Sequence, residues 1–185
     1  MFTTPCVSCI IRGVFTKSTD SGEFNQGNIM AEQNGREGIL VVDFGSQYVQ
    51  LIARRVRENR VRSVVEPPAI SVERIKEIDP RGIILSGGPS SVYDKDAPGL
   101  DRRILDLGIP VLGICYGMQV IGKLAGGRIR KSGRREYGRT IVRFRRGDPL
   151  FKGIAPESVT WMSHRDKVET LPEGFRSIAR ETPQR

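Results

Sequence analysis

Four short apolar runs, at residues 39–42, 61–65, 83–85 and 111–114, alternate with segments of helical periodicity at 46–59, 72–78, 100–107 and 116–124. This alternation constrains the fold more than any other feature of the chain. Runs rich in Val, Ile and Leu read as strands buried on both faces, and a helix between two such strands returns the chain to lay them parallel. The order βαβαβαβα therefore predicts an α/β fold, a mostly parallel sheet with helices on both faces. In such a sheet the functional loops collect at the carboxyl ends of the strands. Three loops meet that condition: residues 43–47, residues 86–93, and the turn at Cys115. Beyond Gly127 the pattern changes, and antiparallel strands are expected around 137–144, 159–162 and 175–179, with Pro and Gly between them.

Residues 1–36 carry no sustained periodicity, and residues 18–38 are rich in Ser, Gly, Asn, Gln and charge, so a disordered leader or an extension upstream of Met30 is expected there. The folded domain is read over residues 37–185. No apolar run approaches bilayer length, and no membrane partner is expected. The chain holds 30 Lys and Arg against 21 Asp and Glu, for a formal net charge of +9, and residues 128–146 alone hold nine basic residues against one acid. These alternate with apolar residues as in a solvated strand pair. A wet face is the first reading, a docking surface for an acidic domain or a phosphorylated substrate the second, and no nucleic-acid partner is expected. Three cysteines make no disulfide framework and fit a reducing compartment, the cytoplasm. Cys6 and Cys9 form a CxxC with no second pair and no nearby histidine, so no metal site is expected.

The third cysteine stands where the run Val111–Ile114 hands over to a helix, in the order Gly113-Ile114-Cys115-Tyr116-Gly117-Met118-Gln119. Glycines two positions either side let strand and helix approach without Cβ clashes, the layout of a nucleophile elbow. Amides of the first helical turn then favour the thiolate, and the one beside the nucleophile is placed to receive an oxyanion. An inert core cysteine is the competing reading. Ser86-Gly87-Gly88-Pro89-Ser90-Ser91 follows another buried run and should expose backbone amides. It lacks the Gly-Lys-Ser/Thr ending of a phosphate loop, and Pro89 argues against an SGGxDS pyrophosphatase loop. An oxyanion hole built from this loop and the Tyr116 amide fits better, each donor contributing roughly 3 kcal/mol in a transition state, with a simple tight turn as the alternative. The single histidine, His164, is on these residues alone the default base for Cys115.

Four segments together, Asp43-Phe44-Gly45-Ser46-Gln47-Tyr48, Ile83-Ile84-Leu85-Ser86-Gly87-Gly88-Pro89, the Cys115 elbow, and Trp161-Met162-Ser163-His164-Arg165-Asp166, resemble the class I glutamine amidotransferases. The elbow marks the superfamily, and the first and last segments narrow the resemblance to the branch that supplies ammonia for making GMP. It spans nearly everything from Gly38 onward. It implies a flavodoxin-like open, mostly parallel sheet with its final part missing, and an amidotransferase domain over 37–185 that is incomplete at its C-terminus. It also implies that Cys115 attacks the side-chain amide of L-glutamine and releases ammonia, after which water cleaves the thioester. Gly88 and Tyr116 would supply the oxyanion-hole amides, while Gln119 and the Ser163, His164 and Arg165 backbone would hold substrate in a loop. Family members usually carry glycine at the position of Arg165. The family's catalytic His and Glu belong to an FHPE-type motif that does not occur in residues 1–185.

The implied partner is an ATP-pyrophosphatase synthetase domain, in the same chain or on a separate polypeptide, and the resemblance allows a homodimeric parent. No cofactor is implied for the glutaminase portion; ATP and Mg2+ are implied for the synthetase. Two other readings compete: a free-standing glutaminase, and a non-catalytic glutamine-binding module that docks through its basic face.

Overall fold

In a computed structural model of the chain, the described residues are 9–12, 38–148, 151–175 and 177–181. They divide between two compact units, one covering Cys9–Ile121 and the other taking in the chain from Gly122 onward.

The first unit is built on a five-stranded sheet. Its strands are β1 (Cys9–Arg12), β2 (Ile39–Val42), β3 (Ser63–Glu66), β4 (Gly82–Leu85) and β5 (Val111–Ile114), in the spatial order β1-β5-β4-β2-β3. The pairs β2–β3, β2–β4 and β4–β5 are parallel, and this four-strand order is the flavodoxin-like one. Leu40, Val41, Val42 and Leu85 are completely buried, as expected of strands covered on both faces. The antiparallel edge strand β1, registered from Cys9 opposite Ile114 to Arg12 opposite Val111, falls inside the segment read from sequence as a leader. Cys6 lies outside the described residues.

Helix α1 (Val49–Glu58) turns Val49 and Ala53, one turn apart, onto Val41, with Ile39, Ile52, Val65 and Ile84 packed around them. It starts three residues later than its periodicity predicted. Ser46 is engaged in the preceding turn, its Oγ accepting from the Tyr48 amide at 3.1 Å and its carbonyl from the Val49 amide at 3.2 Å. Helix α2 (Val72–Ile78) begins at Ser71, whose side chain caps the Arg74 amide, and ends at Asp79 in the left-handed region (φ +46°). The helix expected at 100–107 is instead a short 3-10 segment, Arg102–Asp106, that buries Ile104 and Leu105. Asp101 fixes its start, the side chain accepting the Arg103 amide at 2.9 Å, and Gly108 (φ +69°) lies just past its end. Helix α3 (Tyr116–Leu124) follows β5 directly and carries the chain from one unit into the other.

In the second unit β6 (Arg128–Phe144) pairs antiparallel with β7 (Glu157–Thr170) on one side and β8 (Ala179–Glu181) on the other. Ile129, Thr140 and Val142 are buried while Arg128, Arg130, Arg139 and Arg143 point to solvent, so for these residues the basic stretch is a wet strand face. Arg128 and Arg130 pair with Glu169, and Arg143 with Glu157 at 2.7 Å. The sequence predicted shorter strands than β6 and β7, and it placed the third strand at 175–179, where β8 instead occupies Ala179–Glu181. Pairing of Arg128–Lys131 with β7 extends β6 back from the expected start at 137, with a register shift between Lys131 and Glu136. No helix among the described residues is long and apolar enough to cross a membrane.

Candidate active site

Register places the three functional loops side by side. Val42 pairs with Leu85, and Leu85 with Gly113, so the chain leaves β2, β4 and β5 at the same end of the sheet. Cys115 is the first residue after β5 and is half-buried. Its φ is +54°, in the left-handed region that a side chain with a Cβ rarely adopts. Strain of this kind is held by its surroundings and marks the sharp strand-to-helix turn of an elbow. The Cys115 carbonyl accepts the Gln119 amide at 3.2 Å, so the cysteine is the N-terminal cap residue of α3.

Both flanking glycines are sterically required. A Cβ at Gly113 would stand 2.7 Å from the backbone nitrogen and Cα of Met118 and from Ile121 Cδ1. A Cβ at Gly117 would strike the Leu85 carbonyl oxygen and sit 2.6 Å from Leu85 Cβ. Gly117→Ala is therefore expected to destabilise the fold by about 1–3 kcal/mol, as overpacking does, because the collision is with backbone that cannot rotate away. Chemical denaturation checks this, and an unchanged midpoint would mean that the elbow relaxes freely.

The loop after β4 reaches the cysteine from the side. A Cβ on Gly87 would lie 3.4 Å from Cys115 Cβ and 3.8 Å from Ser46 Oγ, and one on Gly88 would meet the Phe44 carbonyl oxygen at 2.5 Å. Gly88 thus lets backbone pass against the Phe44 turn, while Gly87 lies at ordinary contact distance from the cysteine. Among the described residues, no turn or loop hydrogen bond between backbone groups engages the amide of Gly88 or of Tyr116. Amides in that condition beside a cysteine are able to receive a negatively charged oxygen.

Ser86, fully buried, holds the three loops together, a role that no residue near it in the sequence signals. Its Oγ accepts from the Phe44 amide at 3.0 Å and donates to the Gly87 carbonyl at 2.8 Å. Its amide donates to the Val42 carbonyl and its carbonyl accepts from the Gly117 amide, both at 3.0 Å. One residue therefore ties the β2 exit, the glycine loop and the elbow. The Phe44 turn is shaped further by Asp43, whose Oδ1 accepts the Gly45 amide at 2.7 Å, with Gly45 at φ +89°.

Tyr116 is buried with its ring edge-on to Phe44, centroids 5.2 Å apart, and its hydroxyl donates to the Pro98 carbonyl at 2.7 Å. Burial raises the phenol above its ordinary value and the negative Asp94 adds to the rise, so the ring is a neutral anchor for the residue whose amide adjoins the cysteine. Gln119 lies one turn further along α3 and is buried at 5% exposure. The first unit thus brings together Cys115, Gly88, Tyr116 and Gln119. Ser163, His164 and Arg165 fall in the second unit, in strand β7 rather than the loop that the sequence suggested, with Ser163 opposite Tyr137 and His164 opposite Glu136. Residues 9–121 contain no histidine. Among the described residues no group of three or more His, Cys, Asp or Glu is gathered to hold a metal ion.

Comparison with known proteins agrees with this geometry. The chain is 54% identical over 144 residues to a protein from Caldanaerobacter subterraneus subsp. tengcongensis named GMP synthase [glutamine-hydrolyzing], a match over 78% of this chain. A protein of the same name from Brachyspira hyodysenteriae is 47% identical over 148 residues. The chain spans about 28% of the first relative's length and 29% of the second's. Among solved structures, that of a putative GMP synthase subunit from Thermoplasma acidophilum superposes with a TM-score of 0.63 at 27% identity, over 78% of this chain and 72% of that one. A glutamine amidotransferase from Thermotoga maritima shares the fold at a TM-score of 0.58 and 18% identity, over 78% of this chain and 66% of that one. The family model for glutamine amidotransferase class-I matches residues 40–185, from the second residue of β2 through the elbow and on past β8. With a strained cysteine between two obligatory glycines inside that match, the chain belongs to the class-I glutamine amidotransferase family.

Proposed function

We propose that this chain is the glutaminase portion of a GMP synthase, in which Cys115 hydrolyses glutamine and the ammonia aminates XMP to GMP on an ATP-pyrophosphatase synthetase domain. One observation carries the chemistry: Cys115 is held at φ +54° at the start of a helix, beside a double-glycine loop whose backbone passes close to it. Helix-end amides lower the cost of thiolate, which attacks the carboxamide carbon of glutamine. The oxygen of that carboxamide then gathers charge and is met by the Gly88 and Tyr116 amides. The C–N bond breaks once the nitrogen is protonated, and water cleaves the resulting γ-glutamyl thioester to glutamate. Gln119, Ser163, His164 and Arg165 are assigned to holding substrate. The glutaminase step needs no cofactor, and ATP and Mg2+ belong with the synthetase. A thiol nucleophile of this kind suits the reducing cytoplasm.

An electrophilic glutamine analogue tests the nucleophile directly. Mass-spectrometric mapping is expected to find Cys115 alkylated faster than Cys6 or Cys9, with excess glutamine protecting it. The reverse order, or no protection, would identify an inert core cysteine.

His164 is expected to act through binding. In a protein joining this chain to its synthetase, His164→Ala should raise KM for glutamine several-fold more than it lowers kcat, because a substrate-holding residue stabilises ground and transition states alike. A kcat loss of several orders of magnitude at unchanged KM would make His164 the base instead.

The Thermoplasma relative is described as one subunit of its enzyme, which favours a second reading in which the glutaminase is a separate chain lending ammonia to its synthetase. Co-purification of two polypeptides against a single one distinguishes the two.

A further inference from the structure

The second unit contains a cleft that the glutaminase reading does not use. It lies where β6 ends, between Phe144 and Pro156, and encloses about 480 Å³, a volume in the range of small-molecule sites. Its apolar part is a pair of half-buried rings, Phe144 and Phe151, with centroids 4.5 Å apart and planes inclined at 34°. Ile154, 52% exposed, extends this surface. Its polar part is cationic: Arg145, Arg146 and Lys152 line the cleft, all three exposed, against one carboxylate, Asp148. None of these three cations forms an ion pair among the described residues, whereas Arg128, Arg130 and Arg143 of β6 pair with Glu169 and Glu157.

A lining that combines two phenylalanine rings with two guanidinium groups and an ammonium has a definite chemical complement. Flat rings stack on phenylalanine, and guanidinium forks bind phosphate oxygens in pairs with a planar match that lysine alone lacks. A purely acidic peptide would leave the rings unused, and a purely apolar ligand would leave the cations desolvated without a partner. We propose that this cleft binds a nucleoside monophosphate, the base over Phe144 and Phe151 and the phosphate on Arg145, Arg146 and Lys152. The inference stands independently of the role given to Cys115.

Adenosine 5′-monophosphate is a suitable probe, titrated by calorimetry into the 185-residue chain at two salt concentrations, with adenosine, ribose 5-phosphate and inorganic phosphate beside it. Saturable binding of the nucleotide is expected, at least about ten-fold tighter than any of its parts and weaker at higher salt, since roughly 1.4 kcal/mol from either half is worth that factor. Amide signals of Gly147 and Gly153, which line the cleft, should shift in NMR spectra during the titration. The double substitution Arg145→Gln and Arg146→Gln alters only exposed side chains. It should weaken the nucleotide at least about ten-fold while leaving adenosine unchanged, and Phe151→Leu should weaken both. Circular dichroism of each variant verifies its fold. Absence of saturable nucleotide binding to the unsubstituted chain would overturn the proposal. So would affinity no greater than that of inorganic phosphate, indifference to the double substitution, or unmoved Gly147 and Gly153 signals.

Discussion

Cys115→Ala is expected to reduce glutamine-dependent amination by on the order of 10⁴-fold or more, in a protein that joins this chain to the proposed synthetase domain, while amination from added ammonia remains largely intact. The size follows from what is lost. Without sulfur there is no nucleophile, and the amides beside position 115 have no tetrahedral intermediate to stabilise, so only binding and slow attack by water remain. The ammonia-dependent rate is spared because amination of the acceptor is assigned to a separate domain. Alanine at 115 keeps the left-handed turn no better and no worse than cysteine, both having one Cβ, so the elbow at φ +54° should survive. The check is a paired assay of the two nitrogen sources on one preparation. Equal loss of both activities would show that the substitution had damaged the fold or that the role is misassigned.

A polypeptide of residues 1–185 is expected to release ammonia from glutamine on the order of 10⁴- to 10⁶-fold more slowly than one extended to include an FHPE-type motif, the range seen when a member of a catalytic triad is removed. The helix end at Tyr116 and the glycine loop are within residues 1–185, so Cys115 should still react slowly with an electrophilic analogue. What this segment lacks, on the proposed reading, is a base to protonate the departing ammonia and to activate the water that cleaves the thioester. Its one histidine is assigned to substrate binding. Ammonia release should be compared on monodisperse samples of both polypeptides. Comparable turnover would return His164 to the role of base.

How much of the site could be read in advance depended on how local each requirement was. The elbow was legible because Gly113 and Gly117 answer a collision between adjacent elements, and such a collision leaves its mark at fixed spacing around Cys115. Ser86 was not, because its hydroxyl serves the amide of Phe44, 42 residues away, and nothing near Ser86 in the chain announces that partner. The same distinction runs through the fold. Strands β2 and β5 and helix α2 kept the predicted bounds because their burial pattern and caps are contained in their own residues. Strand β6 outgrew its predicted length, and β1 appeared where no strand was expected. A strand is completed by hydrogen bonds to another strand, and residues 128–131 are held by β7 while Cys9–Arg12 is held by the edge of β5.

By itself, then, the amino-acid sequence determined the alternation that makes the first unit a parallel sheet, the position of the strained cysteine, and the glycines without which strand and helix could not meet there. Only the tertiary structure decided the strand order and register that bring the exits of β2, β4 and β5 to one end, the binding of three loops through buried Ser86, and the placing of Ser163, His164 and Arg165 in a strand of the second unit. Steric clashes and helix caps act between residues close in sequence and are written there. Sheet pairing and buried hydrogen bonds join residues tens of positions apart, and their partners are chosen only when the chain has folded.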